Sequence, residues 1–253
     1  GGVFLDPELA TSSRMFRFVF RMFATGRAAI PARGMEEIPR QLAARLPEGT
    51  VRLATAVQAV SPGHVVLAGG QVIACDHAVV ATDGEAASRL VAGVTAPEWN
   101  PVTCVYFAAD RAPVSEPVLL LDGERGGPIN NLVFPTQVSS AYGPEGRTLV
   151  SASVIGVDAA DPDIEQIVLA QLVDWFGEGA ATWEHLRTYR IAHALPRQLP
   201  GWLEPPQRAV HYGEGIYVAG DHLDTASTNG ALAAGRRAAE AVLADGSRPA
   251  SRR

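Results

Sequence analysis

The residues best arranged for chemistry lie near the C-terminus. Ile216 to Ala219 is an apolar run that stops at Gly220-Asp221, and after a polar loop a helix opens at Asn229-Gly230-Ala231. Strand, acidic turn, glycine and helix start bring unpaired backbone N–H groups and the positive end of a helix dipole to one place. Such a place holds a polar or anionic cofactor group. A helix start contributes about 0.3–1 kcal/mol to a nearby anion, and up to about 2 when partly buried. Asp221 can accept hydrogen bonds from hydroxyl groups, or it can merely close a turn or cap a helix. A side chain at Gly230 would keep the backbone from approaching a planar ring; the other reading is a glycine that only eases helix packing.

A second apolar run, Ala78 to Ala81, ends in Thr82-Asp83-Gly84. It reads as a strand covered on both faces. Open α/β sheets bind ligands outside the carboxyl ends of their strands. The two runs are therefore expected to be parallel neighbours, or one strand apart. Their polar ends, Thr82-Asp83 and Gly220-Asp221, should then open on one edge. Capping is the other role open to Thr82 and Asp83.

Four segments together resemble the FAD-dependent oxidoreductases of the phytoene desaturase and amine oxidase superfamily. They are Ile30-Pro31-Ala32-Arg33-Gly34-Met35 leading into a helix, the stretch 51–60 followed by 76–82, Ala194-Leu195-Pro196, and the C-terminal motif from Gly215. They occur in the family's order and span nearly the whole chain. The resemblance implies FAD as cofactor. It implies that Asp221 meets the ribityl chain, and that Gly220, Asn229, Gly230 and Ala231 border the flavin ring. It places Thr82 at the cofactor and the backbone of Val57 against the adenine. The catalytic residues stay unassigned; His193 and His222 flank the region and could act as bases near neutral pH. Where many relatives carry Ser-Gly, this chain has Ala234-Gly235, and Gly235 is expected to pack against the sheet.

The family's opening strand, Gly-x-Gly-x-x-Gly turn and helix hold the FAD pyrophosphate. They do not occur here. Gly213-Glu214-Gly215 precedes a strand instead of following one. The expectation is a C-terminal portion of a longer flavoenzyme, inactive when isolated. The chain also contains no lysine. Many amine oxidases of the superfamily place a lysine near flavin N5, and no residue here can fill that role. The balance moves towards desaturation of an apolar, isoprenoid or carotenoid-like substrate. Amine oxidation and a non-catalytic fragment are the alternatives.

These elements imply an α/β, α+β mixed fold: an incomplete FAD/NAD(P)-binding Rossmann-like layer plus an antiparallel-sheet substrate domain. The expected FAD-binding domain comprises 31–83 and 208–245, and the substrate domain 1–30 and 84–207, with a disordered tail at 246–253. Helices are expected over 8–25, 35–46, 84–92 and 162–176. Short strands are expected at 50–54, 57–61, 63–68 and 71–75, with turns at Pro62-Gly63 and Gly69-Gly70.

Charge and composition narrow the partners. A net charge of −6 argues against nucleic acid. Cys75 and Cys104 lack metal-ligand spacing and read as reduced, buried thiols. There is no serine nucleophile elbow, zinc spacing or phosphate loop. No apolar run reaches the roughly 20 residues of a membrane span, and no signal peptide is visible, so a cytoplasmic setting is expected. In the first helix Arg14, Arg17 and Arg21 fall on one side, with Phe16, Val19, Phe20 and Phe23 on the other. A core helix with a solvated arginine face and a peripheral membrane helix are both open.

Overall fold

The computed structural model describes residues 1–124, 126–156, 161–202 and 204–246. The fold is mixed α/β, and the chain divides into two compact units. One comprises Thr11–Arg21, Gly49–Trp99 and Leu195–Arg253; the other comprises Gly1–Ala10, Met22–Glu48 and Asn100–Ala194.

The first of these units carries two small sheets. Strands β1 (Val57–Ser61), β2 (His64–Leu67) and β3 (Val72–Ala74) form an antiparallel meander. Gly63 and Gly70 turn it at φ +84° and +80°, values that glycine adopts without a Cβ penalty. The strand expected at 50–54 does not form. Leu53 is 84% exposed and Ala54 sits at φ +52°, so this stretch has neither burial nor extended backbone.

The second sheet has the order β10 (His211–Gly213), β11 (Ile216–Val218), β4 (Ala78–Val80). Strands β11 and β4 are parallel, with Ile216 opposite Ala78 and Val218 opposite Val80. This is the expected pairing of the two apolar runs. Alternation along β11 decides what covers each face. Val218 meets Ala87, Val91 and Val94 on the side of helix α3 (Gly84–Leu90). Tyr217 and Ala219 meet Ala234 and Ala238 of helix α6 (Thr228–Gly246) on the other. β4 itself is covered on one face only: Val80 is buried, but Val79 is 46% exposed. Its continuous apolar run therefore does not report two-sided burial among the described residues.

The other unit is a five-stranded sheet, order β6 (Leu119–Leu121), β7 (Ile129–Val133), β8 (Thr148–Val154), β5 (Trp99–Ala109), β9 (Glu184–Pro196). The pairs β6–β7, β7–β8 and β5–β8 are antiparallel. Helix α5 (Ile164–Phe176) covers one face, burying Ile164, Val168 and Leu172 against Val105, Phe107, Leu132, Val150 and Ala152. An antiparallel sheet with a helix on one face is the expected architecture here. Gln171 of α5 satisfies its buried amide by accepting from the Ile129 N–H at 2.9 Å and donating to Asp122 at 2.9 Å.

The division of the chain runs at other residues than the expected domains. Segment 31–48, with helix α2 (Glu37–Ala43), lies in the antiparallel unit. There Tyr142 donates to the Pro31 carbonyl at 2.8 Å and Ser139 to that of Ala32 at 3.0 Å. Segment 84–99 lies with β4 and β11, because α3 buries Ala87 and is followed by the buried Val91 and Val94. The expected tail falls outside the described residues apart from Gly246, which ends α6. Both thiols are free and half-buried, and burial pushes that of Cys104 up, which keeps it protonated. Among the described residues no helix is long and apolar enough to cross a membrane, and no cluster of ligands suits a metal ion.

Candidate functional site

The parallel register of β4 and β11 brings their exits to one edge. From β4 comes Thr82-Asp83-Gly84; from β11 comes Gly220-Asp221-His222. Backbone pairing continues past the strands, as the Ala219 N–H donates to the Val80 carbonyl at 2.9 Å. The two exits then touch. A Cβ on Gly220 would lie 3.4 Å from the Thr82 carbonyl oxygen and 2.5 Å from the His222 ring. On Gly84 it would lie 2.9 Å from Cγ of the same ring. His222 is thus clasped by two glycines, one from each exit, and only 2% exposed.

Among the described residues neither ring nitrogen of His222 has a hydrogen-bond partner. Burial pushes its pKa down, which Asp83 opposes and Arg208 reinforces. The imidazole is therefore held neutral, and two buried polar atoms sit unsatisfied beside the strand ends. Asp221 next to it is raised by burial; the N–H groups of His222 and Asp221 lower it, and the nearby Asp83 raises it again. Asp83 does cap a helix, accepting from the Ala86 N–H at 2.9 Å as N-cap of α3. Thr82 is exposed and donates its hydroxyl to the Asp83 carbonyl at 3.1 Å.

The N-terminus of α6 is shaped by the loop ahead of it. Ser227 acts as N-cap: its hydroxyl accepts from the Gly230 N–H at 3.0 Å, and its carbonyl accepts from the Ala231 N–H at 3.0 Å. The Ala231 N–H is thus used in closing the first helical turn. Thr228 and Asn229, both exposed, are the positions whose N–H groups an α-helix leaves without an acceptor. Gly230 also has a different reason from the one expected. A Cβ there would overlap the Thr225 carbonyl oxygen, so glycine is needed for the loop to fold back on the helix. A Cβ on Gly235 would meet nothing within 4 Å among the described residues; the residue that packs is Ala234, which is fully buried.

Two side chains not singled out in the sequence lock this loop. Gln198, 2% exposed, donates to the Asp224 carbonyl at 2.7 Å and accepts from the Ala226 N–H at 3.1 Å. Arg237 donates to the Asp224 carboxylate at 3.1 Å, and to the carbonyls of Leu223 at 3.1 Å and Arg208 at 2.7 Å. The only signal for Gln198 was its place two residues after Ala194-Leu195-Pro196.

Of the sequence-derived positions, Thr82, Gly220 and Asp221 share one edge, and Asn229, Gly230 and Ala231 form the first turn of α6. Val57 stands elsewhere, at the start of β1 in the meander, 41% exposed and opposite Leu67. His193 is exposed on β9.

The family model for flavin containing amine oxidoreductases matches residues 1–243. Comparison by sequence with curated proteins gives no match. Among solved structures, the chain resembles an Exiguobacterium protein assigned as a protoporphyrinogen oxidase (TM-score 0.68, 18% identity, 84% of this chain and 51% of that one). It resembles reduced UDP-galactopyranose mutase (TM-score 0.67, 13% identity, 97% of this chain and 63% of that one). It also resembles putrescine oxidase bound to putrescine (TM-score 0.61, 16% identity, 83% of this chain and 53% of that one). At these identities the likeness is one of fold. The chain spans about half to two thirds of the length of these structures.

Proposed function

We propose a function from one premise: the chain belongs to the family of flavin containing amine oxidoreductases. The cofactor of that family is FAD. The function is the two-electron desaturation of an apolar substrate of isoprenoid or carotenoid type: a hydride would pass to bound FAD and the neighbouring proton to solvent as a carbon–carbon double bond forms. The observation that carries the cofactor assignment is the shared edge of β4 and β11 beside the start of α6, with the unsatisfied His222 behind it.

The residues at that edge suit a flavin. Asp221, with its carboxylate partly buried, accepts hydrogen bonds from hydroxyl groups of the ribityl chain. Thr228 and Asn229 turn helix N–H groups outward, where a helix dipole favours negative charge. Gly220, Gly230 and Ala231 hold the turn and the first helical turn in place, and Thr82 borders the same edge. Val57, on an edge strand, offers backbone to the adenine. When bound, FAD supplies the two-electron oxidation. This chain's residues bind it, hold its polar parts and stabilise the negative charge that reduction creates. A neutral His222 keeps an uncharged wall behind the turns. No strong base is assigned.

Desaturation rather than amine oxidation is supported by the absence of lysine. Amine oxidation is the second reading, favoured by the family's own description. The test has two stages. Hydrogen exchange of the chain at high FAD should slow at 82–84 and 220–231, and not in β5–β8. An unchanged pattern would remove the cofactor assignment. Flavin-loaded protein should then be bleached without oxygen by an isoprenoid polyene and not by putrescine. The reverse preference would select amine oxidation.

A further inference from the structure

Helix α1 (Ser13–Thr25) is amphipathic in an unusual sense. Its one buried residue is Met15, 2% exposed. At 3.6 residues per turn, Phe16, Phe20 and Phe23 form a single stripe away from Met15. They are 54%, 60% and 60% exposed, and the rings of Phe16 and Phe20 stack with centroids 5.6 Å apart. Among the described residues the three phenylalanines therefore face out. Three large aromatic rings in one exposed stripe mark an interaction surface rather than a scattered surface residue.

Charge says what that surface meets. Arg14, Arg17 and Arg21 form the neighbouring stripe, and all three are exposed. From Leu9 to Met35 the sequence has five arginines and no acid, in a chain whose net charge is −6. A second copy related by two-fold symmetry would bring like arginine stripes together. An anionic lipid surface complements both stripes at once. Helices of this kind lie in the interface plane, with the apolar face in the headgroup and acyl boundary.

We propose that α1 is a monotopic membrane contact: Phe16, Phe20 and Phe23 enter the acyl boundary of an anionic phospholipid bilayer, and Arg17 and Arg21 meet the phosphates. The contact is independent of the flavin reading. It brings the protein to the phase in which strongly apolar molecules dissolve.

Co-sedimentation with vesicles tests it, using the full chain with phosphatidylcholine alone and with added phosphatidylglycerol. The chain should bind the phosphatidylglycerol vesicles and leave the phosphatidylcholine vesicles largely free. Arg17→Gln and Arg21→Gln should each lower partitioning about fivefold at low salt. Phe16→Ser with Phe20→Ser should lower it tenfold or more, with the binding that remains being the salt-sensitive part. All four side chains are exposed, and circular dichroism and melting of each variant show whether the helix and the fold are retained. If the phenylalanine variant unfolds, the arginine variants still decide. Absence of binding, equal binding to both vesicles, or binding indifferent to the substitutions would overturn the proposal. So would phenylalanine substitutions that convert a dimer to a monomer while vesicles stay unbound.

Discussion

Arg237 donates to the carboxylate of Asp224 at 3.1 Å, with the two side chains only 19% and 10% exposed. The pair joins the third turn of α6 to the loop that precedes it. Because Arg237 also holds the carbonyls of Leu223 and Arg208, one guanidinium fixes two backbone carbonyls and one carboxylate around the candidate site.

Removing one member of this pair leaves the other charge buried and uncompensated, which typically costs about 3–5 kcal/mol. Arg237→Met should therefore lower stability by about 3 kcal/mol in urea unfolding. The double variant with Asp224→Leu should recover part of that loss, because both desolvated charges are gone. Equal stability of wild type and Arg237→Met would show that the pair is weak.

Gly230 and Gly235 make a matched comparison on one helix. Gly230→Ala puts a methyl group against the Thr225 carbonyl and should destabilise by about 1–3 kcal/mol, with loosening of the loop at 224–227. Gly235→Ala meets open space and should stabilise by about 0.4–1 kcal/mol. Thermal melts of the two variants check this.

Acid should act on His222 and neutral pH on Asp221, with opposite signs. His222 has a folded pKa below its ordinary 6.5, because burial disfavours the cation. Its stability contribution is present above pH 6.5 and is lost as pH falls through the folded value. Asp221 has a folded pKa above 3.8, because of burial and then Asp83. Its contribution is present below pH 3.8 and is lost as pH rises through the folded value. His222→Gln should flatten the decline in melting temperature below pH 6.5. Asp221→Asn should raise melting temperature at neutral pH. A wild-type melting temperature that is flat on the acid side of pH 6.5 would contradict the first.

Flavin binding by this chain should be weak, since the sequence has no Gly-x-Gly-x-x-Gly turn following a strand to hold a pyrophosphate. FAD titration followed by flavin fluorescence should give a low-affinity, saturable signal, and Asp221→Ala should remove it. Purification with near-stoichiometric flavin would show that the cofactor needs no such turn here.

Local pattern in the sequence determined a good deal. Two apolar runs ending in Thr82-Asp83 and Gly220-Asp221 were enough to expect parallel strands, adjacent or one strand apart, and β4 and β11 pair directly. The antiparallel unit followed from strand-like runs around one long helix, because alternation and helical period are written in consecutive residues. α1 was legible as a helix for the same reason. Which of its faces packs was not legible, since both the Phe stripe and the Met15 side are apolar, and burial depends on what lies opposite. The reasons for Gly84, Gly220 and Gly230 were equally out of reach. Each makes room for an atom of a neighbour, His222 or Thr225, whose position the fold sets. Gln198, Arg237 and Asp224 carry no periodicity at all. Their hydrogen bonds cross 13 to 29 residues of chain, and such contacts exist only after tertiary packing has brought the partners together.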